Sequence, residues 1–194
     1  MTAPRLVLAS ASPRRADLLG RAGLEFTVQP ADIDETPGVG EAPADLVERL
    51  SLTKARAVAA LLADPPFLVL AADTIVVRDG TILNKPGDAT EAKAMLRSLA
   101  DRAHEVITGW ALVHQDGRSL ASYVTTRVHF RSLSDAVIDR YVATGEPMDK
   151  AGAYGIQGIG AMLVRAVDGS YTNVVGLPLV EVLDALPTLG GPRR

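Results

Sequence analysis

The stretch FLVLAAD, residues 67–73, is a run of six apolar side chains that ends on an aspartate. Apolar residues without polar alternation are typical of a strand buried on both faces, as in a sheet covered by helices. The run therefore predicts an α/β fold with Asp73 at the carboxyl end of a central strand. Open α/β sheets bind ligands beyond such ends, where a carboxylate can hold a metal ion or accept a proton from water. Capping of the following turn by Asp73 is an equally good interpretation.

Downstream of this run, two-residue turns predict paired strands. Asp79-Gly80 favours a tight hairpin, and Lys85-Pro86 follows it at once. Asp116-Gly117 predicts a second hairpin. The expected strands are residues 75–78 with 81–83, and residues 105–113 with 119–130. Hairpins beside a doubly buried strand indicate a mixed sheet.

Upstream of the run, a short strand is predicted at residues 6–9 and is followed by a turn and a helix. Ser12-Pro13 is a strong helix start, and the helix reaches Arg21 before Gly23. Ser10, Arg14 and Arg15 therefore lie at a helix N-terminus, which attracts anions, and arginine adds forked donors for phosphate oxygens. An ordinary helix cap with two solvated arginines explains the same residues.

The rest of the chain alternates helices and strands without a repeat or a linker. Helices are predicted at residues 44–63, 90–100, 134–144 and 177–186, a strand at 161–166, and a glycine-rich loop at 149–160. This order predicts an α/β or α+β fold around a mixed sheet. We expect one domain over residues 1–194, divided into two lobes, with a frayed tail at 187–194.

Composition excludes several classes of protein. The 194 residues include no cysteine, which rules out disulfides, a thiolate nucleophile and cysteine-ligated metal sites. A formal net charge of −3 and 4% aromatic residues disfavour nucleic-acid binding. No window is apolar enough to span a membrane, and residues 1–5 lack a signal-peptide pattern, so we predict a cytoplasmic protein without a membrane partner.

The few lysines occupy marked positions. Sixteen of the basic residues are arginine and only four are lysine. Lys54 lies within the second predicted helix, Lys85 follows the first hairpin and Lys150 opens the glycine-rich loop. This distribution favours contacts to phosphate, although chance could produce it.

Other titratable residues carry a weaker signal. Glu35, in the acidic run Asp32-Ile33-Asp34-Glu35, is a candidate second carboxylate, but an exposed acidic loop is the better interpretation of that run alone. His104, His114 and His129 show no metal-ligand spacing. We interpret all three histidines as structural or surface residues.

Taken together, the motifs resemble those of the Maf family. The opening L-A-S-x-S-P-R-R is residues 8–15, the central A-D-T is 72–74, the K-P is 85–86 and the late signature D-K-A-G-A-Y-G-I-Q-G is 149–158. The match continues through G-S-Y at 169–171 and V-V-G-L-P at 174–178, so it covers residues 5–186 in the expected order.

This resemblance implies a single α/β domain of the inosine-triphosphatase-like type, in which a twisted mixed sheet and two lobes frame a nucleotide cleft. It implies hydrolysis of a nucleoside triphosphate to a monophosphate and pyrophosphate, with a divalent cation, Mg²⁺ or Mn²⁺. By residue matching, the phosphates would be held by Ser10, Arg14, Arg15, Lys54 and Lys85. Asp73 would act as proton acceptor or metal-side carboxylate, and Glu35 would assist. A homodimer is expected from the resemblance alone.

The late signature also resembles the subgroup that acts on dTTP and UTP, whereas members that act on 7-methyl-GTP carry a different sequence there. Arg14, Thr74 and Gln157 match positions tied to substrate choice. An amide such as that of Gln157 offers a donor and an acceptor together, which can pair with the N3–H and a carbonyl oxygen of uracil or thymine. Standard and modified pyrimidine nucleotides both fit this description.

Two questions stay open at the level of sequence. Either Asp73 or Glu35 could be the base, because both could bind the metal instead. The rival hypothesis is a non-catalytic nucleotide-binding regulator, since the family is associated by name with inhibition of septum formation. The intact set of Asp73, Lys54 and Lys85 favours an enzyme.

Overall fold

A computed structural model describes residues 4–64 and 66–192. The strands of this part of the chain are β1 (Arg5–Leu8), β2 (Phe26–Val28), β3 (Phe67–Arg78), β4 (Thr81–Leu83), β5 (Ala103–His114), β6 (Ser119–Phe130) and β7 (Val164–Asp168). They form one sheet in the order β2-β1-β3-β5-β6-β7, with β4 paired to β3. The predicted α/β fold with a mixed sheet and flanking helices is confirmed.

The α-helices of the described residues are α1 (Pro13–Arg21), α2 (Pro43–Ala59), α3 (Ala89–Leu99), α4 (Asp135–Val142), α5 (Tyr171–Val175) and α6 (Leu179–Ala185). None of these helices is long and apolar enough to cross a membrane. Residues 1–3, for which we predicted no signal peptide, lie outside the described residues. So do Pro65, expected just past the second helix, and the last two residues of the predicted tail.

The chain divides into two compact units. The first consists of the described residues up to Asp73 together with 108–124 and 176–192. Here β1 pairs in parallel with both β2 and β3, as the doubly buried run 67–72 predicts. The core of this unit packs β1 and β3 against α2, through residues such as Val7, Val69 and Val58.

The second unit consists of residues 74–107 and 125–175. The hairpin of β3 and β4 turns at Asp79-Gly80, both with positive φ, as the dipeptide predicts for a type I′ turn. The antiparallel pair of β6 and β7 completes the strands of this unit. Its core packs α3 and α4 against these strands, with Leu96 and Tyr141 fully buried.

Four sequence predictions away from Asp73 need correction. The predicted helix 44–63 ends at Ala59, because the chain then tightens into three-residue turns, in which Leu61 N–H donates to Val58 O. Residues 159–163 form a 3₁₀ turn, so the strand predicted at 161–166 is Val164–Asp168 instead. The helix predicted at 177–186 is only Leu179–Ala185, with Pro178 at its N-cap, and α5 precedes it unpredicted.

The predicted frayed tail is the fourth correction. Residues Leu186–Leu189 form a 3₁₀ turn, and Leu189 is only 5% exposed. Gly191 N–H donates to Leu186 O at 2.9 Å, which folds the chain back on that turn. Burial of Leu186 and Leu189 outweighs the loop-like composition of the segment, because apolar side chains fix an end that glycine and proline alone would leave free.

Candidate active site

Asp73 lies within β3 and not at its end, which corrects the sequence prediction. The parallel pairing of β3 with β1 stops at Leu70, and β3 continues because Val76 to Arg78 pair antiparallel with β4. Asp73 thus follows the end of the parallel part of the strand, where α/β proteins bind ligands. It is also six residues from the hairpin turn at Asp79, so the alternative that Asp73 caps that turn is wrong.

The side chain of Asp73 forms a buried ion pair. Lys54, on α2, places its Nζ 2.6 Å from Asp73 Oδ1, and the two side chains are 11% and 12% exposed. A charged pair so shielded from water interacts more strongly than a surface pair. The pairing joins residues 19 positions apart in the chain.

Lys54 also reaches the second candidate carboxylate. Its Nζ lies 2.7 Å from Glu35 Oε1, although the Glu35 side chain is 59% exposed. One ammonium group therefore bridges a buried and an accessible carboxylate. The interpretation of Glu35 as merely part of an exposed acidic loop omits this contact.

Ser10 and Arg15 are joined at the start of α1. Arg15 Nη1 donates to Ser10 Oγ at 3.0 Å, and the same hydroxyl oxygen accepts from Ser12 N–H at 3.2 Å. Arg15 Nε donates to Gly176 O at 2.7 Å. The guanidinium of Arg15 is thus held in place, whereas the alternative of an ordinary cap predicted two solvated arginines. Ser12 is the N-cap residue but makes no side-chain capping bond.

Arg14, Arg15 and the two carboxylates share one electrostatic environment. Burial lowers the pKa of Arg15, the charge of Arg14 acts in the same direction, and the carboxylates of Asp73 and Glu35 oppose both. With Lys54, the cluster holds three cations and two anions. The three cationic side chains favour an anionic ligand such as a phosphate chain.

The other three candidates lie in the second unit, at separate points of the chain. Thr74 is half-buried on β3, directly after Asp73. Lys85 is exposed just after β4, and Gln157 is exposed in the glycine-rich loop. The candidates of the first unit therefore form one cluster. For Thr74, Lys85 and Gln157, the structure shows the exposure and the place of each residue within the second unit.

A family match covers nearly all of the chain. The Maf-like protein family matches residues 5–189. The chain belongs to the Maf family. Similar curated proteins include the dTTP/UTP pyrophosphatases of Geobacter sp. strain M21, 55% identical over 186 residues and 95% of each chain, and of Geobacter metallireducens, 55% identical over 188 residues and 96% of each chain. That of Citrifermentans bemidjiense is 54% identical over 186 residues and 95% of each chain.

Two solved structures resemble the fold weakly. A nucleoside-triphosphatase, or dITP/XTP pyrophosphatase, of Mycobacterium abscessus gives a TM-score of 0.40 at 15% identity and covers 65% of this chain and 72% of its own. The Ham1 protein of Staphylococcus aureus gives 0.45 at 16% identity and covers 65% and 71%. The inosine-triphosphatase-like arrangement of this Maf-family chain stays a prediction.

The carboxylates of this Maf-family site suit a metal ion of a particular kind. Asp73 and Glu35 converge on one ammonium group, whereas no group of three His, Asp or Glu side chains forms a metal site among residues 4–64 and 66–192. Magnesium in phosphate chemistry is typically held by one or two carboxylates together with phosphate oxygens and water. The donor set fits such a shared cation and does not fit a cage made of protein ligands alone.

Gly176 is a site residue that the sequence interpretation missed. Its carbonyl accepts from Arg15, 161 positions away, and its φ of 124° is accessible to few residues other than glycine. The motif V-V-G-L-P carried the resemblance to the family but indicated no role for its glycine. The carbonyl of Gly176, together with the Ser10 hydroxyl, therefore holds the guanidinium of Arg15 in place.

Proposed function

We propose that the chain is a nucleoside triphosphate pyrophosphatase that hydrolyses dTTP and UTP to the nucleoside monophosphate and pyrophosphate. The observation that supports this best is the ammonium group of Lys54 between Asp73 and Glu35, at 2.6 and 2.7 Å. Lys54 brings two carboxylates next to a cluster of cationic side chains. Hydrolysis of a phosphoanhydride needs carboxylates to act on water or metal and cations to bind the phosphates. The names of relatives that are more than half identical support the same activity and substrates.

The phosphates are proposed to bind at the start of α1. Arg15 is held by Ser10 and Gly176, so its position is set before a ligand arrives. Preorganised donors cost little reorganisation on binding. Arg14 and the N-terminal peptide groups of the helix add further positive potential.

The reaction consists of attack by a water oxygen on the α-phosphorus. The bond from that phosphorus to the oxygen bridging to the β-phosphorus breaks, and pyrophosphate leaves with that oxygen. Asp73 is proposed to orient the water and take its proton, a role worth about 10²- to 10⁴-fold in rate. Glu35 is the alternative base. Lys54 and Lys85 would neutralise charge that develops on the leaving pyrophosphate.

A divalent cation, Mg²⁺ or Mn²⁺, would be held by Asp73 and Glu35 and by phosphate oxygens. When bound, it would supply neutralisation of the phosphate charge. Lys54, which contacts both carboxylates, is also proposed to contact the nucleotide phosphates. The base would be read by Gln157, with Arg14 and Thr74 contributing to substrate choice.

Compartment and assembly are part of the same proposal. Nucleoside triphosphates are cytoplasmic metabolites, so a cytoplasmic location follows from the proposed substrates. We propose a homodimer that does not bind nucleic acid, on family resemblance and on a net charge of −3. A non-catalytic regulator of septum formation is not favoured, because such a protein does not need an acid pair bridged by lysine.

The proposal is tested by release of pyrophosphate from a panel of nucleotides with Mg²⁺ or Mn²⁺. We expect many turnovers per protein molecule with dTTP and UTP. Orthophosphate as the first product would contradict cleavage between the α- and β-phosphates. Rapid turnover of 7-methyl-GTP without turnover of dTTP and UTP would reverse the substrate assignment, and binding without turnover would favour the regulator.

A further inference from the structure

The glycine-rich loop after α4 is organised around one carboxylate, that of Glu146. Its Oε1 accepts from Gly160 N–H at 2.9 Å and from the Tyr141 hydroxyl at 2.9 Å. Its Oε2 accepts from Ile159 N–H at 2.8 Å. Glu146 is not among the candidate residues that the sequence suggests, yet it accepts two backbone N–H groups of this loop.

Tyr141 binds the beginning of the segment that Glu146 binds at residues 159 and 160. Its hydroxyl oxygen accepts from Gly155 N–H at 3.1 Å while its O–H donates to Glu146. Residue 155 is therefore hydrogen-bonded to Tyr141, and residue 160 to Glu146. Gln157 lies between these two residues, on an exposed stretch of the loop.

The glycines of the loop are required by this arrangement. A Cβ at Gly158 would overlap the Glu146 carboxylate, and one at Gly160 would lie 2.6 Å from the Tyr141 hydroxyl. Any larger residue would push the backbone N–H groups away from their acceptors. Gly158 and Gly160 are thus the positions at which the loop backbone comes close to these two side chains.

The charge states of Glu146 and Tyr141 favour the hydrogen bonds that these side chains make. Partial burial alone would raise the pKa of Glu146, but the hydrogen bonds from Gly160, Ile159 and Tyr141 outweigh it, and the pKa is lowered. Burial raises the pKa of Tyr141. At neutral pH a carboxylate therefore accepts from a neutral phenol, and bonds to a charged acceptor are the stronger kind.

Lys150 makes its contacts within the first half of the loop. Its Nζ donates to Glu146 O at 2.6 Å and also contacts Asp149. A Cβ at Gly155 would lie 2.6 Å from Lys150 Cε, so the lysine stem packs directly on that glycine. The lysine expected to contact phosphate is therefore engaged within the loop.

We propose that Glu146, together with Tyr141, is a positioning residue for base recognition, because Glu146 holds the N–H groups of residues 159 and 160, Tyr141 holds that of residue 155, and Gln157 lies between them. This inference rests on the proposed function, since it takes Gln157 to contact the base. The pair is proposed to act through the loop backbone and not by direct contact with the nucleotide. Its loss should therefore weaken recognition of the base more than the chemical step.

Glu146→Gln is the first test, because it keeps the shape and removes the charge. One side-chain oxygen becomes an NH₂ group that faces N–H donors, so the amides of Ile159 and Gly160 should exchange their hydrogens at least about tenfold faster. The KM for UTP should rise on the order of tenfold, the effect of one lost base contact, with kcat changed less. Tyr141→Phe should shift both quantities in the same direction and by less.

Product inhibition separates positioning from a general loss of structure. Affinity for UMP, which carries the base, should fall with KM, while affinity for inorganic pyrophosphate should stay within twofold of the wild type. Asp116→Asn is the matched control, because Asp116 also accepts a turn N–H, that of Arg118, at 3.0 Å. This control should leave both affinities unchanged.

The outcomes are distinct. Unchanged UMP affinity and KM in folded Glu146→Gln and Tyr141→Phe variants would overturn the inference, whether or not the amides exchange faster. Equal losses of UMP and pyrophosphate affinity would overturn it in favour of a purely structural role. A wild-type protein that turns over no pyrimidine triphosphate would instead overturn the proposed function, and the inference with it.

Discussion

At the scale of single residues, the same ammonium group bridges Asp73 and Glu35. Their side chains differ greatly in exposure, 12% for Asp73 and 59% for Glu35. The Asp73 carboxylate is thus shielded from bulk water, and that of Glu35 is open to it. Asp73 is the proposed base, and its substitution therefore tests the proposed mechanism first.

Replacing Asp73 with asparagine should lower kcat by at least about 100-fold, because the change keeps the shape but removes the charge that accepts a proton or holds a metal. Steady-state kinetics on UTP would measure this, and nucleotide binding should persist. Asp79→Asn is the matched control, since Asp79 is in the hairpin turn with φ of 49°, which asparagine adopts readily. A kcat for Asp73→Asn within tenfold of the wild type would count against a catalytic role.

Removal of the Lys85 ammonium, in Lys85→Ala, should lower kcat and not merely raise KM. A point charge that acts on the leaving pyrophosphate stabilises the transition state more than the bound triphosphate. Lys93→Ala is the control, because Lys93 forms a partly exposed ion pair with Asp139, at 2.7 Å, outside the candidate site. A rise in KM alone would make Lys85 a binding residue.

At the scale of elements, α2 lies against β5 at a point where only glycine fits. A Cβ at Gly109 would overlap the carbonyl of Val47. Glycine within a strand often marks such a close approach, and Gly109 falls within a strand that the sequence predicts. This contact helps to set the position of the helix that carries Lys54.

The same substitution should have opposite effects at two glycines. Gly109→Ala should lower the free energy of unfolding by roughly 1–3 kcal/mol, because the new methyl group meets backbone that cannot move aside. Gly20→Ala should raise it by about 0.5–1 kcal/mol, since Gly20 is in α1 and the new Cβ meets nothing within 4 Å beyond the adjacent backbone of its own helix. Urea unfolding would measure both, and a stable Gly109→Ala variant would contradict the close approach.

At the scale of the whole molecule, stability should depend on pH through His104. This histidine is 3% exposed, and its Nε2 lies 2.8 Å from the Tyr154 hydroxyl. Its Nδ1 has no hydrogen-bond partner among the described residues. Burial, with a smaller effect from the charge of His129, lowers the pKa of His104 from 6.5 to about 4. The interpretation of His104 as structural agrees with this setting.

The unfolded chain binds a proton at His104 more tightly than the folded protein does. Stability from the neutral imidazole is therefore complete above pH 6.5 and is lost as the pH falls towards 4. The loss should reach about 3 kcal/mol. The contribution of His104 is the difference between the free energies of unfolding of the wild type and of His104→Gln, each measured in urea. A difference that does not change from pH 7 to 4 would contradict the prediction.

The sequence by itself determined the local structure and the family. Turn dipeptides such as Asp79-Gly80, the helix start at Ser12-Pro13 and the apolar run 67–72 act through backbone preference and burial, which neighbouring residues decide. The ordered motifs were specific enough to identify the family without coordinates. Element ends were predicted less well, because the ends at Ala59 and Leu189 depend on what the segment packs against.

Only the tertiary structure decided which candidates meet. The Lys54 ammonium bridges Asp73 and Glu35, and Arg15 is held by a carbonyl 161 positions away. Glu146 acts on N–H groups 13 and 14 positions further along the chain. No local pattern encodes such contacts, because they are fixed by the packing of whole elements, which depends on all the residues of the core at once.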